Sequence, residues 1–270
     1  MKRPIEGKDK IIDKYYPIIK DLDDEKFFQE YEDNVLSTNN VFISTLAMDF
    51  PSNVSNKKRK EIEEQWKKKL PTLNHIKRLD LRHRVDQEYF EAICKMENLE
   101  SLKIWISTVS DISSISKLKK LKSLSISNFS RLEDISPLIE LKSLEHLSIL
   151  ASFKISNYQI ISKITWLKKL ELGGDSSAPR NLMLDSLDPF CELCELVELN
   201  MSSASIRNKD YRPILKLKKL KRLDALWSMK NEEREYIQNE HPSLKSGFFV
   251  AYDFDKNKFK EGIEWWIEKE

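Results

Sequence analysis

Glycine is scarce, with five in 270 residues. That scarcity excludes glycine-rich phosphate loops and long flexible linkers, and neither a P-loop nor a dinucleotide-binding signature occurs. Cysteine is equally sparse. Cys94, Cys191 and Cys194 are too few and too unevenly placed for a disulfide framework. The four histidines, His75, His83, His146 and His241, have neither ligand nor triad spacing. There is no G-x-S-x-G and no H-E-x-x-H. No catalytic residue, cofactor or metal is therefore expected, and the chain is read as a non-enzyme. No window of 18 apolar residues exists, so no membrane span is expected. Behind its two early cations, the start MKRPIEGKDKIIDKYY has no apolar run. It does not read as a signal peptide, and the expected location is the cytoplasm. Excess charge is absent too: 46 basic residues against 44 acidic give +2. Neither nucleic acid nor an acidic membrane is the default partner of such a chain.

What the chain has in abundance is leucine at regular steps. In LKKLKSLSISNFSRLEDISPLIELKSLEHLSI, Leu118, Leu121, Leu124 and Ile126 recur as Leu141, Leu144, Leu147 and Ile149. Phe129, Leu132, Ile135 and Leu138 keep a step of three between them. A helix of 3.6 residues per turn drifts off such a stripe. Steps of three followed by a step of two fit a tight coil feeding a short strand, the leucine-rich repeat pattern L-x-x-L-x-L.

The connection Leu132-Glu-Asp134-Ile135-Ser136-Pro137-Leu138 resembles the I-x-D-I-x-P-L of the bacterial internalin repeat type. Val109-Ser-Asp111-Ile112-Ser-Ser-Ile115 is a weaker copy. The resemblance covers roughly the middle two-thirds of the chain. It implies a curved solenoid that binds proteins without catalysis. Internalins are exported or surface-bound, whereas this N-terminus points to the cytoplasm. The family's usual asparagine after the strand is replaced by Arg84, Ser107, Phe129, Ser152, Asp175, Ala204 and Ser228. Ser and Asp can supply some of its loop hydrogen bonds but Phe129 and Ala204 cannot, so irregular turns are expected.

Indexed by the second leucine, the repeats fall at Leu79, Leu102, Leu124, Leu147, Leu170, Leu199 and Leu223. An eighth is expected at Leu244 to Phe249, with Gly247 in the leucine position. The long step between Leu170 and Leu199 holds an insertion, Gly173 to Asn181, read as a loop and a candidate binding element. The expected fold class is α/β, a leucine-rich repeat solenoid. Its curved parallel sheet forms the concave face, with coil, 3-10 turns and short helices on the convex side and helical caps at both ends. Residues 1–70 read as an N-terminal cap region, 71–250 as about seven to eight repeats, and 251–270 as a C-terminal capping helix. Within the first region, helices are expected at Asp9–Ile19, Asp24–Tyr31 and Lys57–Lys69, with a strand in Val41–Phe50. Terminal units are atypical because the end leucines would otherwise meet water.

Three further patterns carry a chemical reading beside a plain one. Asp253, Asp255, Asn257 and Glu264 match some positions of a calcium loop, but Lys258 stands where the sharp turn needs glycine, and the solvated-turn reading is preferred. Cys191-x-x-Cys194 lacks further zinc ligands and reads as packing on the coil. Lysines between the leucines, among them Lys119, Lys120, Lys122, Lys142, Lys168, Lys169, Lys218, Lys219 and Lys221, stack into a stripe. A solvated face is the preferred reading. Nucleic-acid binding along that stripe is the alternative function.

In a strand x-L-x-L-x the leucines enter the core and the x residues face outward. The binding residues expected on that concave face are Arg82, Lys103, Trp105, His146, Glu171, Asp224 and Trp227. Trp and Arg are chosen because they dominate interface hot spots. The expected function is a protein-interaction module, a scaffold or regulator or a toxin-neutralising partner, monomeric and without a membrane.

Overall fold

The computed structural model describes residues 26–28, 33–50, 52–174, 180–224, 229–253 and 258–259. Along the chain the strands are β1 Lys26–Phe28, β2 Asn40–Ser44, β3 Arg78–Val85, β4 Ser101–Ser107, β5 Ser123–Ser127, β6 His146–Leu150 and β7 Lys169–Gly173. They continue as β8 Leu182–Leu184, β9 Glu198–Asn200, β10 Ala204–Ile206 and β11 Arg222–Asp224. One parallel sheet runs β1-β2-β3-β4-β5-β6-β7-β9-β11. Its register aligns Leu79, Leu102, Leu124, Leu147, Leu170, Leu199 and Leu223 in one row. That row is the repeat index read from the sequence, and each of these leucines is buried.

Parallel strands need a crossover, and from β3 onward most of these are coils with a single short turn. Four of the connections carry a 3-10 turn of five residues: Ser113–Lys117, Ser136–Glu140, Asp188–Glu192 and Arg212–Lys216. Tyr158–Lys163 serves the repeat between them. The aspartate of the I-x-D-I motif explains where these turns begin. Asp111 Oδ1 accepts the Ser113 N–H, and Asp134 Oδ1 accepts the Ser136 N–H, each at 2.7 Å. Asp134 is held below the usual carboxylate range first by that backbone bond and then by the Ser136 hydroxyl. An Asp side chain that mimics a backbone turn fixes the corner without glycine. The β3–β4 crossover instead holds helix α2, Gln87–Ile93, opened by Asp86, whose side chain accepts the Tyr89 N–H at 2.8 Å.

The missing asparagines are replaced unevenly, as expected. Ser107 Oγ donates to Val85 O at 2.9 Å and accepts the Val109 N–H at 2.9 Å. Ser152 Oγ donates to Leu150 O at 3.0 Å and accepts the Phe129 N–H at 3.1 Å. Phe129 thus offers no polar side chain, but its backbone is satisfied by the serine of the next repeat, and its ring is buried in the core.

Several expectations are corrected. Within the segment read as a helix at Asp24–Tyr31, Lys26–Phe28 is a strand paired with Val41–Ile43. Three residues are too few for a period to show, and pairing with β2 decides the outcome. The eighth repeat does not form a full strand. One bridge joins Ser246 to Arg222, and helix α4, Phe248–Ala251, follows helix α3, Asn231–Glu240. Gly247 explains the stop: it sits at φ +91°, and a Cβ there would meet Leu223 O at 2.3 Å. After the insertion, β8 and β10 pair in a second parallel ladder, Leu182 with Ala204 and Leu184 with Ile206. Helix α1, Asn56–Lys69, forms where expected, capped by Ser55, and buries Ile62 and Trp66 in the same core as the repeats. The predicted helix at Asp9–Ile19, most of the insertion and most of the 251–270 segment lie outside the described residues.

Candidate functional site

The open face of the sheet is built by the residues that alternate with the buried leucines. The row beginning at Arg78 continues through Ser101, Ser123, His146, Lys169, Glu198 and Arg222. The row beginning at Asp80 continues through Lys103, Ser125, Ser148, Glu171, Asn200 and Asp224. Neighbours in a row sit one strand apart, so side chains of opposite charge on adjacent strands meet.

At the β3–β4 end the structure brings Arg82, Lys103 and Trp105 together around Asp80. The Trp105 indole N–H donates to Asp80 Oδ1 at 2.7 Å, and Lys103 Nζ lies 3.6 Å from Asp80 Oδ2. Lys103 Nζ is 4.3 Å from the Trp105 ring centroid, and the Arg82 guanidinium carbon is 5.6 Å from it. Burial pushes the Asp80 carboxyl up, while Lys103, the indole N–H and Arg82 pull it down. Asp80 therefore orients the tryptophan, a role that alternation along β3 does not reveal. The tryptophan is neither fully exposed nor folded into the core; it lies half-buried across the neighbouring strand.

The β7–β11 end is organised differently. Glu171 accepts from Ser148 Oγ at 2.6 Å and from Asn200 Nδ2 at 2.8 Å. Burial raises its carboxyl, as does Asp224, while the Ser148 hydroxyl lowers it. Asp224 is itself buried and is bound by Arg222 Nε at 2.6 Å. Lys169 Nζ pairs with Glu198 Oε1 at 2.7 Å. His146, beside Lys169 in its row, is half-buried; burial first and Lys169 second hold it below its ordinary value. Trp227 and Leu226 lie outside the described residues. Between the two ends, Ser123, Ser125 and Ser127 leave β5 small and neutral.

On the turn preceding the strands, the lysine stripe proves to be interleaved with acids. The residues two before each index leucine run Lys77, Glu100, Lys122, Glu145, Lys168. Glu100 pairs with Lys77 at 3.4 Å and with Lys122 at 2.8 Å, and Glu145 pairs with Lys168 at 3.0 Å. One row earlier, Lys219 pairs with Glu195 at 2.5 Å. Stacking therefore aligns opposite charges and neutralises much of the stripe. Alternation fails only beyond Lys168, where Val197 precedes Lys221 and Lys245.

Cys191 is half-buried, Cys194 exposed and Cys94 buried, all as free thiols. Burial pushes the Cys94 thiol up to about 12, which makes it unreactive. Among the described residues no group of three His, Cys, Asp or Glu is placed to hold a metal. No helix among them is long and apolar enough to cross a membrane.

No protein-family model matches the chain, and no curated protein matches it. Among solved structures it is similar to an internalin (InlF) of Listeria monocytogenes, with a TM-score of 0.50 and 19% identity over 79% of this chain and 61% of that one. A leucine-rich repeat protein of Leptospira interrogans aligns with a TM-score of 0.49 and 18% identity, over 74% of this chain and 52% of that one. The chain thus spans about three fifths of the internalin's length. With the row of buried leucines and the parallel sheet, the likeness defines the class: this is a leucine-rich repeat protein. Its solved neighbours include internalins, and at these identities they speak for the fold alone.

Proposed function

We propose that the chain is a non-enzymatic protein-interaction module that holds a protein partner on the open, concave face of its sheet. The supporting observation is the Arg82–Lys103–Trp105 group, fixed by Asp80 on a rigid strand pair and left accessible at one end of a smooth, serine-lined surface. Preorganised Trp and Arg lose little entropy on docking and bury much area, which is why they dominate hot spots. Glu171, His146 and Asp224 are the binding residues proposed for the far part of the same face, and Trp227 is proposed with them from its sequence alone. The proposed setting is a cytoplasmic monomer acting as a scaffold, a regulator or a neutralising partner of another protein.

Affinity capture from source-cell lysate with wild-type chain, Trp105→Ala and Arg82→Ala tests this reading. One stoichiometric protein retained by wild type, and weakened by at least about 1–2 kcal/mol in both variants, is the expected result. Equal retention by all three chains moves the binding surface off this face.

A further inference from the structure

The turn that precedes each strand carries a row of charges, and the C-terminal end of that row breaks the pattern that holds elsewhere. From Lys77 to Lys168, each lysine of the row has a glutamate on a neighbouring repeat. Lys219, in the adjacent row, takes Glu195. Beyond Val197 the row continues as Lys221 and Lys245, with no acid between them. The Lys245 N–H donates to Lys221 O at 2.9 Å, so the two lysines sit on neighbouring repeats, where like charges repel. Both line a groove of about 550 Å³, together with Lys218, Glu240, His241 and Ser243. All three lysines are exposed, and none makes an ion pair or a side-chain hydrogen bond among the described residues. Three ammonium groups against the single carboxylate of Glu240 leave two positive charges unmatched. The groove wall is fixed: His241, buried, meets Leu217 O at 3.0 Å through Nε2, and Ser243 Oγ donates to Lys218 O at 3.1 Å.

We propose that this groove is a binding site for a phosphate dianion, free or as a monoester, held by Lys218, Lys221 and Lys245. The inference is independent of the binding reading above, which concerns the open face. Lysine ammonium groups are compact point charges that suit a tetrahedral anion, whereas a planar carboxylate favours the guanidinium fork, and no arginine lines the groove. A phosphate monoester carries about 1.5 to 2 negative charges at pH 7, which the two unmatched cations balance; a carboxylate or a phosphodiester brings only one. The anion sits between Lys221 and Lys245, relieves their mutual repulsion and takes Lys218 as its third donor.

The test uses the full chain and a fluorescein-labelled glycine peptide bearing one phosphoserine, followed by anisotropy. The same peptide with serine or glutamate in place of phosphoserine, and a short oligothymidylate, are the comparison arms. Saturable binding of the phosphoserine peptide is expected, absent with serine, weaker with glutamate and screened out in about 1 M salt. Lys221→Ala combined with Lys245→Ala should lower the affinity at least about tenfold. Lys95→Ala combined with Lys119→Ala removes the same charge from exposed positions elsewhere and should change it less than about twofold. Inorganic phosphate is added as a competitor to distinguish the sources: displacement at concentrations near the peptide's own assigns the site to free phosphate, and resistance assigns it to a phosphorylated side chain. No saturable binding, equal binding of the glutamate peptide, or equal loss in the two double variants overturns the site. Tighter binding of oligothymidylate than of the phosphoserine peptide overturns the choice of a dianion.

Discussion

Truncating Leu147 to alanine strips an isopropyl group, three carbons, from the middle of the stacked core. Leu147 is 2% exposed and sits in register between Leu124 and Leu170, both buried. At about 0.8 kcal/mol per buried carbon, the transfer loss alone is roughly 2.4 kcal/mol. The cavity adds to it, because Leu124 and Leu170 are held in place by the hydrogen bonds of their own strands and cannot collapse inward. The expected total is about 3–5 kcal/mol. In a solenoid each repeat contacts only its neighbours, so no distant packing compensates. Urea unfolding followed by circular dichroism is the assay. With a slope of about 3 kcal/mol/M, the midpoint should fall by roughly 1 M or more. Ser125→Ala is the control: it is half-buried on the open face, makes no side-chain hydrogen bond among the described residues, and should change stability by less than about 0.5 kcal/mol. A Leu147→Ala midpoint within about 0.3 M of wild type would refute the reasoning, because a stacked core that loses a central leucine cannot be that indifferent.

Ser152→Ala should cost about 1–3 kcal/mol and speed amide exchange at Phe129, because the buried Phe129 N–H loses its acceptor. An unchanged exchange rate there would show that the serine is not the partner that matters. Glu171→Gln should remove a pH dependence. Burial holds the native Glu171 carboxyl above its ordinary 4.5, so the folded state keeps this proton to a higher pH than the unfolded chain does. Wild-type stability therefore falls as pH rises from the unfolded value through the raised one, and the variant, which has no such proton, should gain on wild type as pH rises above the ordinary carboxylate range. A constant difference between the two chains as pH rises would contradict the assignment.

How much was legible before the fold was seen follows from where the physics is local. The index leucines obey a period that any parallel stack must repeat, so the aligned row of leucines in β3 to β7, β9 and β11 was legible, though the strand ends were not. The corner aspartates Asp111 and Asp134 announce their turns because the side chain bonds its own backbone two residues on. Strand β1 was not legible, since Lys-Phe-Phe becomes a strand only through its neighbour Val41–Ile43. The β8–β10 ladder was hidden by the insertion, although Leu182-Met-Leu184 and Ala204-Ser-Ile206 share a two-residue alternation that hinted at it. Of the candidate site, alternation placed Arg82, Lys103 and Trp105 on one face. The role of Asp80 required the register, because Trp105 reaches across a strand twenty-five residues away in sequence. Gly247 stands at a leucine position of the repeat, yet its left-handed backbone ends the sheet there.

The central claim, that a protein partner sits on the open face, is tested most directly by placing a photo-crosslinking residue on either side of the solenoid. Benzoylphenylalanine replaces Ser125, in the middle of the open face, or Gln159, exposed on the 3-10 turn of the opposite side. Each chain is irradiated in source-cell lysate, and adducts are identified by mass spectrometry. The account predicts one discrete protein adduct from position 125 and none from position 159. Adducts from position 159 alone, or a nucleic-acid adduct from either position, would contradict it.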